Sequence, residues 1–258
     1  MAASDGLLSF GGHLEVLRQM LFRILGVTLA FSCIVFCFKA QTFDILLAPS
    51  DSSFTTYSIV EHLMQRIDRS FVFESFNVQL IATDLSSQFV THLTTSIYLG
   101  LLCASPFIMY ELFRFISPGL LENERKYSTK IMISVYSIFM IGVLMSYYIL
   151  FPISFRFLGT YSVADKVHTM ITLDSYISTF VSLTLLLGIV FQLPVITFIL
   201  AKMGILNAAQ MSKYRKHAII LIMLIAAVIT PPDIMTLVLV AFPIYSLYEI
   251  SIRIIPKL

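Results

Sequence analysis

Long uncharged apolar runs alternate with short polar segments along the whole chain. The runs predict helices over residues 20–38, 91–110, 131–151, 176–201, 218–229 and 234–248, because each is longer than an ordinary strand. The first four suffice to cross a hydrocarbon core of about 30 Å at about 1.5 Å per residue, with Arg23 in the first free to snorkel. The fifth is shorter. Between Lys216 and Asp233 only Ala218 to Ile229 reads as continuous helix former, which spans roughly 18 Å. After Thr230-Pro231-Pro232-Asp233 the chain runs apolar again from Ile234 to Tyr248, where Glu249 is expected to stop it. A short fifth and sixth helix would form a shallow hairpin that thins the bilayer beside it.

Prolines modulate these runs. Pro106, Pro194 and Pro243 lie inside them and Pro152 closes the third, so each should kink or stop its helix. Bent helices beside a shallow hairpin predict a cupped shape. Between the first two spans, residues 39–86 form the one sizeable extramembrane piece, read as an outer cap. There Ile59, Leu63 and Ile67 recur at helical spacing between polar residues, while Phe76, Val78 and Leu80 alternate with Asn77 and Gln79 as an extended segment would.

Composition agrees with that pattern: 58% of residues are hydrophobic and 12% charged, against roughly 25% charged in soluble domains. The expectation is an all-α, multi-pass integral membrane protein with one membrane domain over residues 1–258. Basic residues orient it. With the N-terminus in the cytoplasm, only Lys39, Arg66, Arg69, Arg156 and Lys166 fall outside, and the remaining Lys and Arg fall inside, so both termini are expected in the cytoplasm. The first 17 residues lack a basic n-region, and neither a cleavable signal sequence nor a transit peptide is expected, which favours a bacterial inner membrane.

Chemistry-bearing patterns are sparse. Cys33, Cys37 and Cys103 fall in apolar runs and read as small buried hydrophobes, and the histidines are scattered without partners at ligand spacing. There is no phosphate-cradling glycine loop and no nucleophile elbow. No enzymatic activity, metal, cofactor or nucleic-acid partner is expected.

A specific set of short motifs remains. In order they are His13-Leu14-x-x-Leu17-Arg18, Ala48-Pro49, Ile81-Ala82-Thr83-Asp84, Ser105-Pro106, Phe115-Ile116-x-Pro118-x-Leu120 with Glu124-Arg125, and Phe151-Pro152. Gly188-x-x-Phe191-x-x-Pro194-Val195, Arg215, Thr230-Pro231-Pro232-Asp233, Pro243 and Tyr248-Glu249 follow. Each is weak alone, but their ordered sum resembles TatC, the membrane receptor subunit of the twin-arginine protein translocase, over about His13 to Glu249.

That resemblance implies six helices with a short fifth and sixth, both termini inside and a cupped shape. It also implies a receptor for the signal peptides of folded proteins exported by the proton motive force. The expected partners are twin-arginine signal peptides, single-span TatA-type subunits, TatB where one exists, and the lipid bilayer, in an oligomeric complex. Two adjacent arginines require carboxylates, which guanidinium groups engage by charge-assisted, often bidentate hydrogen bonds. Glu15, Glu122 and Glu124 are the candidates on the inner side, and the alternative for each is ordinary pairing with Arg18, Arg125 or Lys126. With the resemblance, Glu15, Arg18, Glu124 and Arg125 become the expected signal-peptide site. Family members usually carry a glutamate where this chain has Val16, so that role passes to Glu15, one residue earlier and about 100° around a helix. Pro49, Phe89, Gln192 and Asp233 are expected in the groove or framework, and Thr230 and Thr236 at the docking face for partner subunits. The rival class is a small secondary transporter or permease. Against it stand the lack of charge deep in the apolar runs and of an inverted repeat. A purely structural scaffold is the third reading.

Overall fold

The computed structural model describes residues 10–66, 76, 78–116, 128–162, 164, 169–230 and 233–255, with the side chains of 10, 11, 13, 116 and 128–131 outside that description. Among the described residues, apart from one pair of two-residue strands and a short 3-10 turn, the regular elements are helices. Among the described residues, five stretches are long and apolar enough to cross a membrane: Leu14–Cys37, Ser87–Phe115, Met132–Thr160, Leu173–Lys202 and Ile234–Ile254. This is a multi-pass membrane protein. The fold forms two compact units, one drawn from Met1–Lys39 and Leu93–Tyr136, the other from Ala40–His92 and Ser137–Leu258.

The first unit pairs α1 (Phe10–Cys37) with the larger part of α4 (Ser87–Ile116). Helix α1 begins ten residues before the apolar run predicts, and Glu15 supports that early turn by accepting from Arg18 Nη2 at 2.7 Å and Gln19 Nε2 at 3.1 Å. Small and hydroxylic residues let α1 and α4 approach closely: Ser32, Ser96, Ala104 and Ser105 are all buried. A Cβ on Gly100 would lie 2.6 Å from Ser32 N and 2.7 Å from Ser32 Cα, so only glycine fits there. Pro106 sits inside α4 without ending it. The three cysteines are exposed on α1 and α4 rather than buried as expected. In a membrane protein an outward apolar side chain meets lipid, so apolar sequence context does not imply burial.

The second unit holds the rest. Residues 39–86 contain α2 (Lys39–Leu47), a 3-10 turn (Ala48–Ser50), α3 (Thr55–Gln65) and β1 (Leu80–Ile81). Helix α3 carries Ile59 and Leu63 of the predicted amphipathic segment, while Ile67 and Asn77 lie outside the described residues; Leu80 enters β1, which pairs in parallel with β2 (Ile171–Thr172) through Leu80–Ile171 and Ile81–Thr172.

The third span departs from expectation at Pro152. Helix α5 (Ser128–Met145) passes through a π turn (Ser146–Leu150) into α6 (Phe151–Thr160), with Pro152 in the first turn of α6. The proline does not stop the helix because the π turn precedes it and a first-turn position needs no intrahelical N–H bond. The fourth span breaks between α7 (Leu173–Val190) and α8 (Leu193–Lys202), where Pro194 again takes a first-turn position. Gly142 faces Phe191 and Gly188 faces Phe139, two aromatic rings seated on two glycines that lock α5 against the α7 region.

After α9 (Ala208–Lys213), opened by a capping box of Asn207 and Gln210, the chain ends in α10 (Arg215–Ile229) and α11 (Ile234–Ile254). Helix α10 has 15 residues and reaches about 22 Å, short of a bilayer as predicted. The sixth helix is not short. With 21 residues it reaches about 31 Å, because Glu249 does not end it but stays helical, tied to Arg215 and Tyr245.

Candidate functional site

The membrane-inner carboxylates expected to bind a basic peptide are only partly within the described residues. Glu15 sits on the first turns of α1 with its side chain 46% exposed and Arg18 beside it. Its partners in the structure are Arg18 and Gln19, the ordinary local pairing. Glu122, Glu124 and Arg125 lie outside the described residues. Further along α1, Arg23 Nη2 donates to Glu111 Oε2 at 2.9 Å, and the Glu111 side chain is only 4% exposed. The second apolar run is expected to end at Tyr110 with no charge deep inside it, yet α4 carries Glu111 in its last turns. A buried carboxylate needs such a partner, because desolvation alone would cost several kcal/mol.

A second constellation gathers around Pro49 and Pro152. Proline lacks an N–H, so the carbonyl four residues before it loses its helical donor. Around Pro49 and Pro152 side-chain hydroxyls supply the missing donors. Tyr147 OH donates to Ile45 O at 2.7 Å, four residues before Pro49, and Thr56 Oγ1 donates to Tyr148 O, four residues before Pro152. Tyr176 OH donates to Leu46 O at 2.8 Å, and Tyr57 OH lies 2.8 Å from Pro49 O and 3.1 Å from Pro152 O. These bonds fasten the 3-10 turn and α3 to α6 and α7. The aromatic bodies then pack on Phe151, Phe155 and Phe180, with ring centroids 5.0 Å apart for Phe151–Tyr176 and Phe155–Tyr176. Arg156 lies over the rings of Tyr57 and Phe76 at 5.5 and 4.9 Å. Burial pushes the Tyr57 hydroxyl above its usual range, opposed by the Arg156 charge, so Tyr57 remains a neutral donor. The i−4 relation to each proline was the signal in the sequence; what it could not show was which hydroxyl arrives.

Tyr176→Phe is therefore expected to orphan the Leu46 carbonyl and cost about 1 to 3 kcal/mol. Thermal unfolding in detergent should register a clear loss, larger than for the more exposed Tyr147→Phe. Equal midpoints for Tyr176→Phe and the unmodified protein would show that the bond carries no net stability.

The remaining candidates take framework positions. Pro49 is buried in the 3-10 turn. Phe89 points outward, 62% exposed, in the first turn of α4. Gln192 is buried at the break between α7 and α8. Asp233 caps α11, accepting from Thr236 N at 2.7 Å and from the Thr236 hydroxyl. Thr230 and Thr236, expected on a docking face, are both buried, and the Thr230 hydroxyl is spent on Ala226 O at 2.9 Å. Thr230 stands at the C-terminal end of α10 and Thr236 in the first turn of α11. At the other end of that hairpin Arg215 clamps Glu249 through Nε to Oε1 at 2.8 Å and Nη2 to Oε2 at 3.0 Å, while Tyr248 OH donates to Met211 O at 2.7 Å. The motif residues Arg215 and Glu249, far apart in sequence, thus meet in one two-pronged ion pair.

The chain matches the family described as Sec-independent protein translocase protein (TatC) over residues 12–243. It is 33% identical over 249 residues to the protein of that name from Blattabacterium sp. subsp. Periplaneta americana, covering 95% of this chain and 94% of that one. It is 33% identical over 244 residues to its counterpart from Desulforapulum autotrophicum, covering 94% and 82%. A crystal structure of the twin-arginine translocase receptor TatC in DDM superimposes with a TM-score of 0.78 at 30% identity, covering 95% of this chain and 99% of that one.

Proposed function

This chain belongs to the TatC family of Sec-independent protein translocase proteins, and we propose that it is the signal-peptide receptor and core scaffold of a twin-arginine translocase. The near-complete superposition on a twin-arginine translocase receptor carries this reading. On it, Glu15, Arg18, Glu124 and Arg125 form the signal-peptide surface, with Glu124 the principal carboxylate. Arg18 holds Glu15 in place, which makes Glu15 an auxiliary acceptor. Pro49, Gln192 and Asp233 maintain the framework, and Phe89 offers an outward aromatic surface at the start of α4. TatA-type subunits, and TatB where one exists, dock along α10 and α11, whose hairpin Thr230 and Thr236 hold in shape. The protein acts without catalytic chemistry of its own, as one membrane domain of an oligomeric complex in a bacterial inner membrane, and the proton motive force drives export.

Binding of a labelled twin-arginine signal peptide to the purified protein tests the reading. The arginine peptide should bind and a version with both arginines replaced by glutamine should not. Equal binding of the two would overturn the receptor assignment.

The proposed orientation has both termini in the cytoplasm. In a background lacking Cys33, Cys37 and Cys103, cysteine at exposed Ser53 should react in intact cells with a membrane-impermeant maleimide, and cysteine at exposed Lys213 should not. Labelling at Lys213 alone would invert the topology.

A further inference from the structure

The two units differ in how their basic residues are answered. In the first, Arg18 pairs with Glu15 at 2.7 Å and Arg23 with Glu111 at 2.9 Å. In the second, α8, α9, the start of α10 and the end of α11 meet at one end, held by the cluster of Ala201, Met211 and Ile255 and by the Arg215–Glu249 clamp. That end carries Lys202, Lys213, Arg215, Lys216 and Arg253. Between residues 193 and 255 the carboxylates are Asp233, which caps the opposite end of α11, and Glu249, which is committed to Arg215. Lys213, Lys216 and Arg253 are exposed, and among the described residues no carboxylate pairs with them. Lys202 adds a further exposed charge, with its Nζ 5.7 Å from the Phe198 ring. Positive charge gathered in this way attracts anions.

Depth and neighbouring side chains select the anion. The spans Leu173–Lys202 and Ile234–Ile254 end at this face, so Lys202 and Arg253 lie where hydrocarbon gives way to headgroups. Between the cations stand exposed apolar and aromatic side chains: Met203 and Ile205 in the turn after α8, and Tyr214 between Lys213 and Arg215. Such interleaving suits the membrane interface, where apolar groups enter the upper acyl layer and long basic side chains reach out to phosphate. An acidic partner in water offers no acyl layer to Met203 and Ile205. Ile219 and Ile220, both exposed, follow Lys216 within about one turn, so a lipid whose headgroup sits at Lys216 can lay its chain along α10.

We propose that this end of the second unit is a binding surface for anionic phospholipid. Lys213, Lys216 and Arg253, with Lys202 beside them, engage the negative headgroup, while Met203, Ile205 and Tyr214 enter the acyl boundary. The proposal rests on membrane embedding and on the distribution of charge, not on the receptor reading.

The chain contains no tryptophan, so a single introduced one reports its own lipid neighbours. Ile220, one turn from Lys216, is the reporter position, and exposed Phe22, beside the paired Arg23, is the reference. The full-length Ile220→Trp and Phe22→Trp proteins are placed in vesicles of phosphatidylcholine and phosphatidylglycerol, and fluorescence quenching is read with one or the other lipid brominated in its chains. Each Lys or Arg near an anionic surface favours binding about fivefold, so phosphatidylglycerol should be preferred about tenfold or more at Ile220→Trp at low salt. At Phe22→Trp the preference should stay below about twofold, because the nearby arginines are already paired. Lys213→Gln, Lys216→Gln and Arg253→Gln together should lower the preference at Ile220→Trp to that of the reference. Salt at about 1 M, which shortens the screening length to about 3 Å, should act in the same direction. Inorganic phosphate at matched ionic strength should not displace the lipid. If thermal unfolding shows Ile220→Trp to be misfolded, Leu224→Trp, exposed one turn further along α10, takes its place. Equal quenching by the two lipids at the reporter, an equal preference at Phe22→Trp, displacement by phosphate, or a preference that survives the triple substitution would overturn the proposal.

Discussion

Gly100→Leu is expected to prevent stable folding of the α1–α4 pair and, with it, any export. Even one added methyl would meet backbone atoms, with Ser32 N at 2.6 Å and Ser32 Cα at 2.7 Å from an ideal Cβ. A flexible side chain could swing away from such a clash, but a helix backbone can yield only by moving the helix. Overpacking typically costs about 1 to 3 kcal/mol where neighbours can adjust, and a backbone-to-backbone collision lies at or beyond the upper end. The shift would also strain the Arg23–Glu111 pair, which joins the same two helices at 2.9 Å. Removing one partner of a buried ion pair costs about 3 to 5 kcal/mol, although Arg23 is 44% exposed and recovers part of this from water. Membrane yield and thermal unfolding in detergent give the readout. Gly100→Ala should show an intermediate loss, and Ser32→Gly should relieve it only in part, because the Ser32 backbone remains in place. Unchanged stability for Gly100→Leu would mean that the two helices are not held at this spacing.

Glu124→Gln is expected to weaken twin-arginine peptide binding by about ten- to a hundredfold. A charge-assisted hydrogen bond to a guanidinium is worth about 1.5 to 3 kcal/mol, and the amide retains shape while losing charge. Glu15→Gln should weaken binding less. In the structure Glu15 already accepts from Arg18 and Gln19 and is 46% exposed, so a peptide arginine gains little by joining a screened, partly occupied carboxylate. Replacing the peptide's arginines with lysines should shrink the Glu124 effect, since an ammonium cannot make the two-pronged contact. Isothermal titration of the purified variants would decide the order. If Glu15→Gln proves the more damaging, the principal carboxylate lies on α1 and the displacement from Val16 is compensated by rotation of that helix.

These two expectations differ in what supports them. Gly100 carries no signal in the sequence, since a glycine in an apolar run is ordinary in membrane helices. Its importance comes from where Ser32 lies across the helix pair. Glu124 is legible in the sequence, because it falls in an ordered set of motifs, and its proposed role rests on that set. Arg215 and Glu249 stand between these cases. Both were singled out as motif residues, but their 2.8 Å contact and the extension of α11 beyond Glu249 emerged only from the fold. Glu249 was read as a helix stop because a charge normally ends an apolar run. Glutamate is a good helix former, so the helix runs on to Ile254 while its carboxylate pairs with Arg215.

The sequence by itself determined that the chain is helical and membrane-embedded, where the long spans run, that α10 is too short to cross, and which family it belongs to. Those properties follow from local quantities: run length, charge spacing and short motifs read along the chain. Tertiary structure alone decided how each proline is accommodated. Pro152 and Pro194 start helical segments instead of ending them, and hydroxyls from Tyr147 and Thr56 reach the carbonyls that Pro49 and Pro152 leave without donors. It also decided that Thr230 and Thr236 are buried and that the cysteines face outward. The physical reason is the solvent. In water, apolar residues hide and polar ones do not, so a sequence reports its own burial; in lipid both faces of a helix are apolar, and which residues meet depends on partners distant in the chain.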